Sequence, residues 1–127
     1  MVTQLSVRVE NKRGALAEIC SKLAEKAVNI LGLMVPQQPG VAPVRLVVDN
    51  ADAAKKVFSL LGLDCTEEPV LGAHLPNRPG SLGRLTRKLA DHNLDILYAY
   101  GSMVKGEEEA MIIVATSDSA AAAKLIK

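Results

Sequence analysis

The sequence predicts an α+β fold of two tandem βαββαβ modules with antiparallel sheets, the second module lacking its last strand. Apolar and polar residues alternate in short runs, and between these runs apolar residues recur at spacings of three and four. Residues 11–16 and 77–82 share one frame: Asn, a base, any residue, Gly, any residue, Leu. A shift of 66 positions superimposes the runs around these two stretches. Each stretch is therefore predicted to be a strand-to-helix turn of a duplicated module.

The first module begins with a strand over residues 5–9, where apolar and polar side chains alternate. Apolar spacing of three and four then indicates helices, and loops rich in proline or glycine separate the remaining runs. Asn50 and Asp52 provide capping chemistry for the second helix. The elements predicted after the first strand are helix 16–27, strands 30–35 and 44–48, helix 54–61 and a short strand 63–66.

The second module repeats this order. The shift of 66 needs no gap, and it pairs residues 46–48 with 112–114 and Asp52 with Asp118. Because no residues follow for a fourth strand, we expect an open edge beside the first strand of this module. Residues 63–68 or a second chain would fill that edge. The predicted domains are residues 1–67 and 68–127.

Composition bears on the class of function. Lys and Arg number 15 and Asp and Glu 14, and this balance offers no basic surface for nucleic acid or an anionic membrane. Aromatic residues make up 2% of the chain, too few to stack bases. No apolar run approaches the roughly 20 residues that span a bilayer, and we recognise no signal peptide. A soluble cytoplasmic protein is expected, with Cys20 and Cys65 as reduced thiols.

The two turns have the chemistry of an anion-binding helix N-terminus. Unpaired backbone N–H groups and the helix dipole meet there, and a glycine allows a ligand to approach the backbone. Asn11 and Asn77 precede the bend, where an amide either fixes the turn or donates to a ligand. The alternative is an ordinary turn that binds nothing. The predicted backbone donors are Gly14, Ala15 and Leu16 in the first turn and Gly80, Ser81 and Leu82 in the second.

Asn29 and Asp95 each follow the turn asparagine by 18 residues, at the start of the second predicted strand. Their side-chain oxygens can accept hydrogen bonds from an ammonium group. N–H donors on one side and such an acceptor on the other suit a free α-amino acid. The structural alternative is that both residues cap a helix or occupy a turn.

The sequence N-R-P-G-S-L at 77–82, followed by a helix and D-I-L at 95–97, resembles the ACT domain. N-K-R-G-A-L at 11–16 with V-N-I at 28–30 is similar, so the resemblance covers the chain as two copies. It implies a ferredoxin-like fold and a small ligand, most often an amino acid, bound between paired modules.

By position, the resemblance implies two sites. One joins residues 11–16, Arg13 included, to Asp95 and Ile96, and the other joins residues 77–82, Pro79 included, to Asn29 and Ile30. The sequence departs from the family pattern in three ways. Arg13 stands where a proline is frequent, and Asp95 replaces an asparagine. Val9 or Leu75 stands two positions before the turn asparagine, where some amino-acid-binding members carry a polar residue.

These features predict a non-catalytic regulatory protein that binds an amino acid, forms a homodimer and acts on an unidentified partner protein. No P-loop, CxxC, HExxH or GxSxG motif occurs, and His74 and His92 are expected at the surface. We therefore predict no catalytic residue, metal ligand or cofactor. The alternative is an adaptor whose modules serve only for oligomerisation. A small ferredoxin-like enzyme is a third hypothesis, which the lack of a clustered acid, base and nucleophile disfavours.

Overall fold

The computed structural model describes residues 1–10 and 12–126 of the chain. Its elements are β1 Val2–Glu10, α1 Ala15–Glu25, β2 Ile30–Met34, β3 Val41–Val48, α2 Ala51–Leu60, β4 Cys65–Pro76, α3 Ser81–Asp91, β5 Ile96–Tyr100, β6 Glu109–Thr116 and α4 Ser119–Leu125. The neighbouring strands within each half are antiparallel, so the predicted α+β class is confirmed.

The chain divides into two compact units. We call Thr3–Glu68 the N-terminal module, and Pro69–Lys127 together with Met1–Val2 the C-terminal module. The predicted domain limits at residues 67 and 68 stay a prediction.

In the N-terminal module the strand order is β2-β3-β1, and the start of β4 follows β1. There the Arg8 N–H donates to the Asp64 carbonyl oxygen over 3.1 Å. One face of β1 is buried against the two helices, because its apolar residues alternate with polar ones. The centre of this core consists of Leu5, Val7, Ile19, Leu23, Leu46 and Phe58.

In the C-terminal module the strand order is β4-β6-β5. Its core is smaller and is built from aliphatic side chains of β4, β6 and the two helices. The residues buried there include Leu71, Ala73, Leu85, Leu89, Val114 and Ala122. Within the described residues, no helix is both long enough and apolar enough to cross a membrane.

Strand β4 differs from the prediction of two separate strands over 63–66 and 71–75. It runs without interruption from Cys65 to Pro76. Pro69 fits within it because the fixed φ of proline suits an extended chain.

The space beside the C-terminal part of β4 also differs from expectation. Met1–Val2 belong to this module, and the Val2 Cγ1 atom is 2.9 Å from the position that a Cβ on Gly72 would take. The start of the chain therefore lies against Gly72.

The ungapped shift of 66 is wrong beyond the second strand of each module. Leu5 of β1 pairs with Leu46 of β3, whereas Leu71 of β4 pairs with Val114 of β6. The first residues of these pairs are 66 positions apart and their partners are 68 apart. The loop between β5 and β6 therefore holds two more residues than the loop between β2 and β3. The helix caps agree with a shift of 68 beyond this loop.

Asn50 caps α2 and Asp118 caps α4, each accepting a backbone N–H with its side chain. Asp118 is thus equivalent to Asn50 and not to Asp52, as the ungapped shift had predicted. Likewise, Ala54 and Ala122 are the fully buried alanines of the two helices.

Candidate functional site

The two glycine turns have the same backbone. Gly14 has φ 87° and ψ −13°, and Gly80 has φ 91° and ψ −13°. Each is the N-cap residue of the helix that follows, in the left-handed region that disfavours a Cβ. The space above Gly14 is open, since no heavy atom lies within 4 Å of the position that a Cβ would take. Glycine is thus required by backbone geometry at both turns, and the first turn is also accessible.

Some of the predicted backbone donors are already bonded within the turn. The Ala15 N–H donates to the Lys12 carbonyl oxygen over 3.2 Å, and the Ser81 N–H donates to that of Arg78 over 3.3 Å. In the described part of the second turn, the N–H groups of Gly80 and Leu82 have no such acceptor. These two N–H groups remain available to a ligand.

The Asn77 side chain is committed to a loop. Its Nδ2 atom donates to the carbonyl oxygens of Val104 (2.7 Å) and Glu107 (2.8 Å). Its backbone N–H donates to the Glu108 carbonyl oxygen over 2.8 Å. Both amide hydrogens are therefore used to hold the loop between β5 and β6. The corresponding Asn11 lies outside the described residues.

Hydrogen bonds of the Asn29 and Asp95 backbones link the start of one strand to the end of its neighbour. The Asn29 N–H donates to Asp49 Oδ1 over 2.9 Å, and the Asp95 N–H donates to Ser117 Oγ over 3.0 Å. In return, the N–H groups of Asp49 and Ser117 donate to the carbonyl oxygens of Asn29 and Asp95. The side chains of Asn29 and Asp95 are exposed and make no hydrogen bond with any described residue.

Neither residue caps a helix, which corrects that part of the structural alternative. Helix α1 is capped by Lys26 and α3 by His92. The left-handed positions after these caps belong to Ala27 and Asn93, with φ 56° and 59°. Asn29 and Asp95 follow two residues later, directly before the first residues of β2 and β5.

A cavity of about 360 Å³ lies beside the first turn, within the N-terminal module. It is lined by four residues of the predicted stretch 11–16: Lys12, Arg13, Gly14 and Ala15. Its other polar and apolar walls were not predicted. They are formed by Val9, Glu10, Glu18, Ile19, Leu61 and Leu63.

A smaller cavity of about 220 Å³ lies beside the second turn, within the C-terminal module. Arg78 and Ser81 of the predicted stretch 77–82 line it. The basic side chains Arg84 and Lys88 were not predicted to line a site. Arg84 reaches the cavity because a residue four positions after the glycine lies over the first helical turn. The starts of β2 and β5 line neither cavity.

The remaining predicted site residues differ in exposure. Ser81 is 4% exposed, and its Oγ accepts a hydrogen bond from Arg84 Nη2 over 3.3 Å. Leu16 on α1 and Ile30 are half-buried, whereas Pro79 is exposed. Leu82 and Ile96 are large exposed apolar residues at the start of α3 and of β5. Leu82 and Ile96 therefore offer apolar contact to a ligand, whereas the Ser81 hydroxyl is largely covered.

The groups with shifted pKa lie away from both turns. A hydrogen bond to Glu67, 2.9 Å long, raises the pKa of Lys55, and burial raises the pKa of the Cys65 thiol. His74 and His92 are exposed, as predicted. The described residues contain no cluster of three or more His, Cys, Asp or Glu side chains that would hold a metal ion.

Residues 5–62 match the family model described as the AHAS small subunit-like ACT domain. These residues cover most of the N-terminal module. No curated protein matches the sequence.

Solved structures resemble both modules together. A protein from Bacteroides thetaiotaomicron is 25% identical, with a TM-score of 0.89 over 98% of this chain and 85% of that one. The regulatory subunit of aspartate kinase from Thermus thermophilus is 13% identical, with a TM-score of 0.69 over 98% and 89% of the two chains. The corresponding subunit from Thermus flavus is also 13% identical, with a TM-score of 0.66 over 99% and 92%. The likeness to these two aspartate kinase subunits shows the fold alone.

Proposed function

We propose that this chain is a non-catalytic regulatory protein, because residues 5–62 match an ACT-domain model and the C-terminal module repeats their elements. Its ligand is an amino acid that binds between ACT modules. The observation that carries the proposal is the pair of glycine turns, which have the same backbone at the start of equivalent helices. A duplicated turn of this kind presents two equivalent places for one type of ligand group.

The ligand carboxylate would accept hydrogen bonds from free N–H groups at the turn, where the helix dipole favours negative charge. The ligand ammonium would donate to Asn29 or Asp95 at the start of a second strand. The exposed, unbonded side chains of these two residues support this role. Each site would thus combine a turn of one module with a strand start of another.

Regulation would follow from a population shift. A ligand that contacts two modules favours the arrangement in which both contacts are made, by no more than its differential affinity for that arrangement. A coupling free energy of about 1–3 kcal/mol is typical of allosteric proteins. The structural likeness to regulatory subunits of aspartate kinase supports a partner protein that responds to this shift.

A homodimer is part of the proposal. Strands β2 and β5 end the strand orders of their modules, and each exposes a large apolar side chain. Leu31 of β2 is 52% exposed and Leu97 of β5 is 64% exposed. Open apolar edges of this kind favour pairing with another chain. We also place the protein in the cytoplasm, which the free thiols of Cys20 and Cys65 support.

Calorimetry against the twenty amino acids tests the proposal. At least one should bind, and Asp95→Ala or Asn29→Ala should weaken it about tenfold or more, through loss of a hydrogen bond to a charged group. Because neither side chain bonds to a described residue, both variants should retain the stability of the parent protein.

Asp91→Ala is the matched control for the loss of a carboxylate. Its ion pair with Arg87 is exposed at both ends and contributes little. The control should bind as the parent does. Absence of any binder at millimolar concentration would contradict the proposal.

The adaptor hypothesis stays the alternative. The internal bonds of Ala15, Ser81 and Asn77 favour it, since they remove some of the predicted donors. An adaptor would oligomerise in the same way with and without amino acids. Glycine variants do not separate the two hypotheses, because a side chain at φ near 90° strains the turn whether or not a ligand binds. The Asp95 and Asn29 variants avoid this difficulty.

A further inference from the structure

The cavity of the C-terminal module has an unusual charge. Among the described residues, Arg78, Arg84 and Lys88 line it and no acidic side chain does. Its remaining wall includes the buried Ser81 and the apolar Leu125 and Ile126. Within the described residues, no carboxylate lies within 4 Å of these three cationic groups, so none of them forms an ion pair.

The equivalent cavity of the N-terminal module is balanced. Lys12 and Arg13 line it together with Glu10 and Glu18. Lys12 Nζ is 3.8 Å from Glu10 Oε2. Glu18 lies four positions after Gly14, and Arg84 lies four positions after Gly80. The same place in the two modules therefore carries opposite charges.

The Arg84 guanidinium lies over the second turn. Its Nη2 atom is 3.3 Å from Ser81 Oγ, and its Nη1 atom is 2.9 Å from the position that a Cβ on Gly80 would take. A helix N-terminus carries partial positive charge, so a guanidinium at this place is unfavourable unless an anion lies beside it. In the N-terminal module the equivalent residue is the anionic Glu18, whereas no anionic side chain of the described residues lines the C-terminal cavity.

We propose that the C-terminal cavity binds a phosphate group. Guanidinium groups present a planar fork of donors that matches phosphate, and Lys88 would add a point charge. At about 220 Å³ the cavity is smaller than the roughly 300–1,000 Å³ typical of sites for drug-sized ligands, which suits a small anion. This site lies within one module; it adjoins the second glycine turn of the amino-acid site proposed above but needs no ammonium acceptor from another module.

Isothermal titration with inorganic phosphate and with glycerol phosphate, each at constant ionic strength, tests the proposal and separates a free ion from a phosphate ester. Binding of either one supports the site. Arg84→Glu, which installs the residue type of the N-terminal module, should weaken binding at least about tenfold. Arg84→Gln should weaken it less, because it removes the charge without reversing it.

Arg87→Glu is the matched control, with the same charge change on the same helix outside the cavity. It should change phosphate affinity less than about threefold, through long-range electrostatics alone. Equal weakening by Arg87→Glu and Arg84→Glu would overturn the proposal, as would the absence of binding with about 10 mM phosphate at roughly 0.15 M ionic strength, where long-range electrostatics are largely screened. Asn29→Ala removes the ammonium acceptor proposed for the amino acid at this turn and should leave phosphate affinity unchanged, so failure here is distinguishable from failure of the amino-acid site.

Discussion

Thr116 shows how the two modules differ at a single position. It is 7% exposed at the end of β6, and its Oγ1 atom is buried without a hydrogen-bond partner among the described residues. Thr116 pairs with Ile96, just as Val48 pairs with Ile30 in the N-terminal module. A buried hydroxyl without a partner costs free energy that an isosteric apolar side chain does not. The C-terminal module is therefore less stable at this position than its duplicate.

Thr116→Val should raise the free energy of unfolding by about 1 kcal/mol, because it removes the unbonded hydroxyl and keeps the shape. Urea denaturation monitored by circular dichroism measures this change. The reverse substitution in the N-terminal module, Val48→Thr, should lower stability by a similar amount. A Thr116→Val variant with an unchanged or lower midpoint would contradict this account.

At the scale of elements, the glycine turns and the starts of the second strands could be predicted from the sequence. Their Asn, Gly and Leu residues impose a specific backbone. The two additional residues between β5 and β6 could not be predicted. A shift by two preserves alternation, and residues 112–116 of β6 are all buried. The run of alanines from Ala120 to Ala123 gives helix α4 no distinctive register either.

For a similar reason, only part of the candidate site could be predicted from the sequence. The two glycines are identifiable because a positive φ restricts the residue type. The charged residues Glu18 and Arg84 are not, because a charge on a helix usually faces solvent. Only the folded turn places Arg84 beside Ser81 and over Gly80.

The loop between β5 and β6 depends on Asn77. Asn77→Ala should lower the free energy of unfolding by about 1 kcal/mol, since two hydrogen bonds to backbone carbonyls are lost at a partly exposed site. Amide hydrogen exchange should become faster at Glu107, whose N–H donates to the Val104 carbonyl oxygen over 3.0 Å. Asn29→Ala is the matched control, because the Asn29 side chain has no partner among the described residues. Equal stability of the two variants would contradict a bracing role for Asn77.

At the scale of the whole molecule, the open apolar edges lead to a prediction about assembly. Light scattering at micromolar concentration should give a mass near twice the 13.5 kDa of one chain. Leu31→Glu should shift the protein toward the monomer, because a charge on an edge strand opposes pairing. Leu60→Glu, at an 82% exposed position on α2, should not. A parent protein of 13.5 kDa under these conditions would rule out the proposed homodimer.

The contact between Val2 and Gly72 has a practical consequence for dissecting the chain. The C-terminal module is discontinuous in sequence, since Met1–Val2 and Pro69–Lys127 form one compact unit. A fragment that starts at Pro69 would lose the side chain that lies against Gly72. Fusion of Met1–Val2 to such a fragment through a short linker, as in a circular permutation, would restore the contact with Gly72.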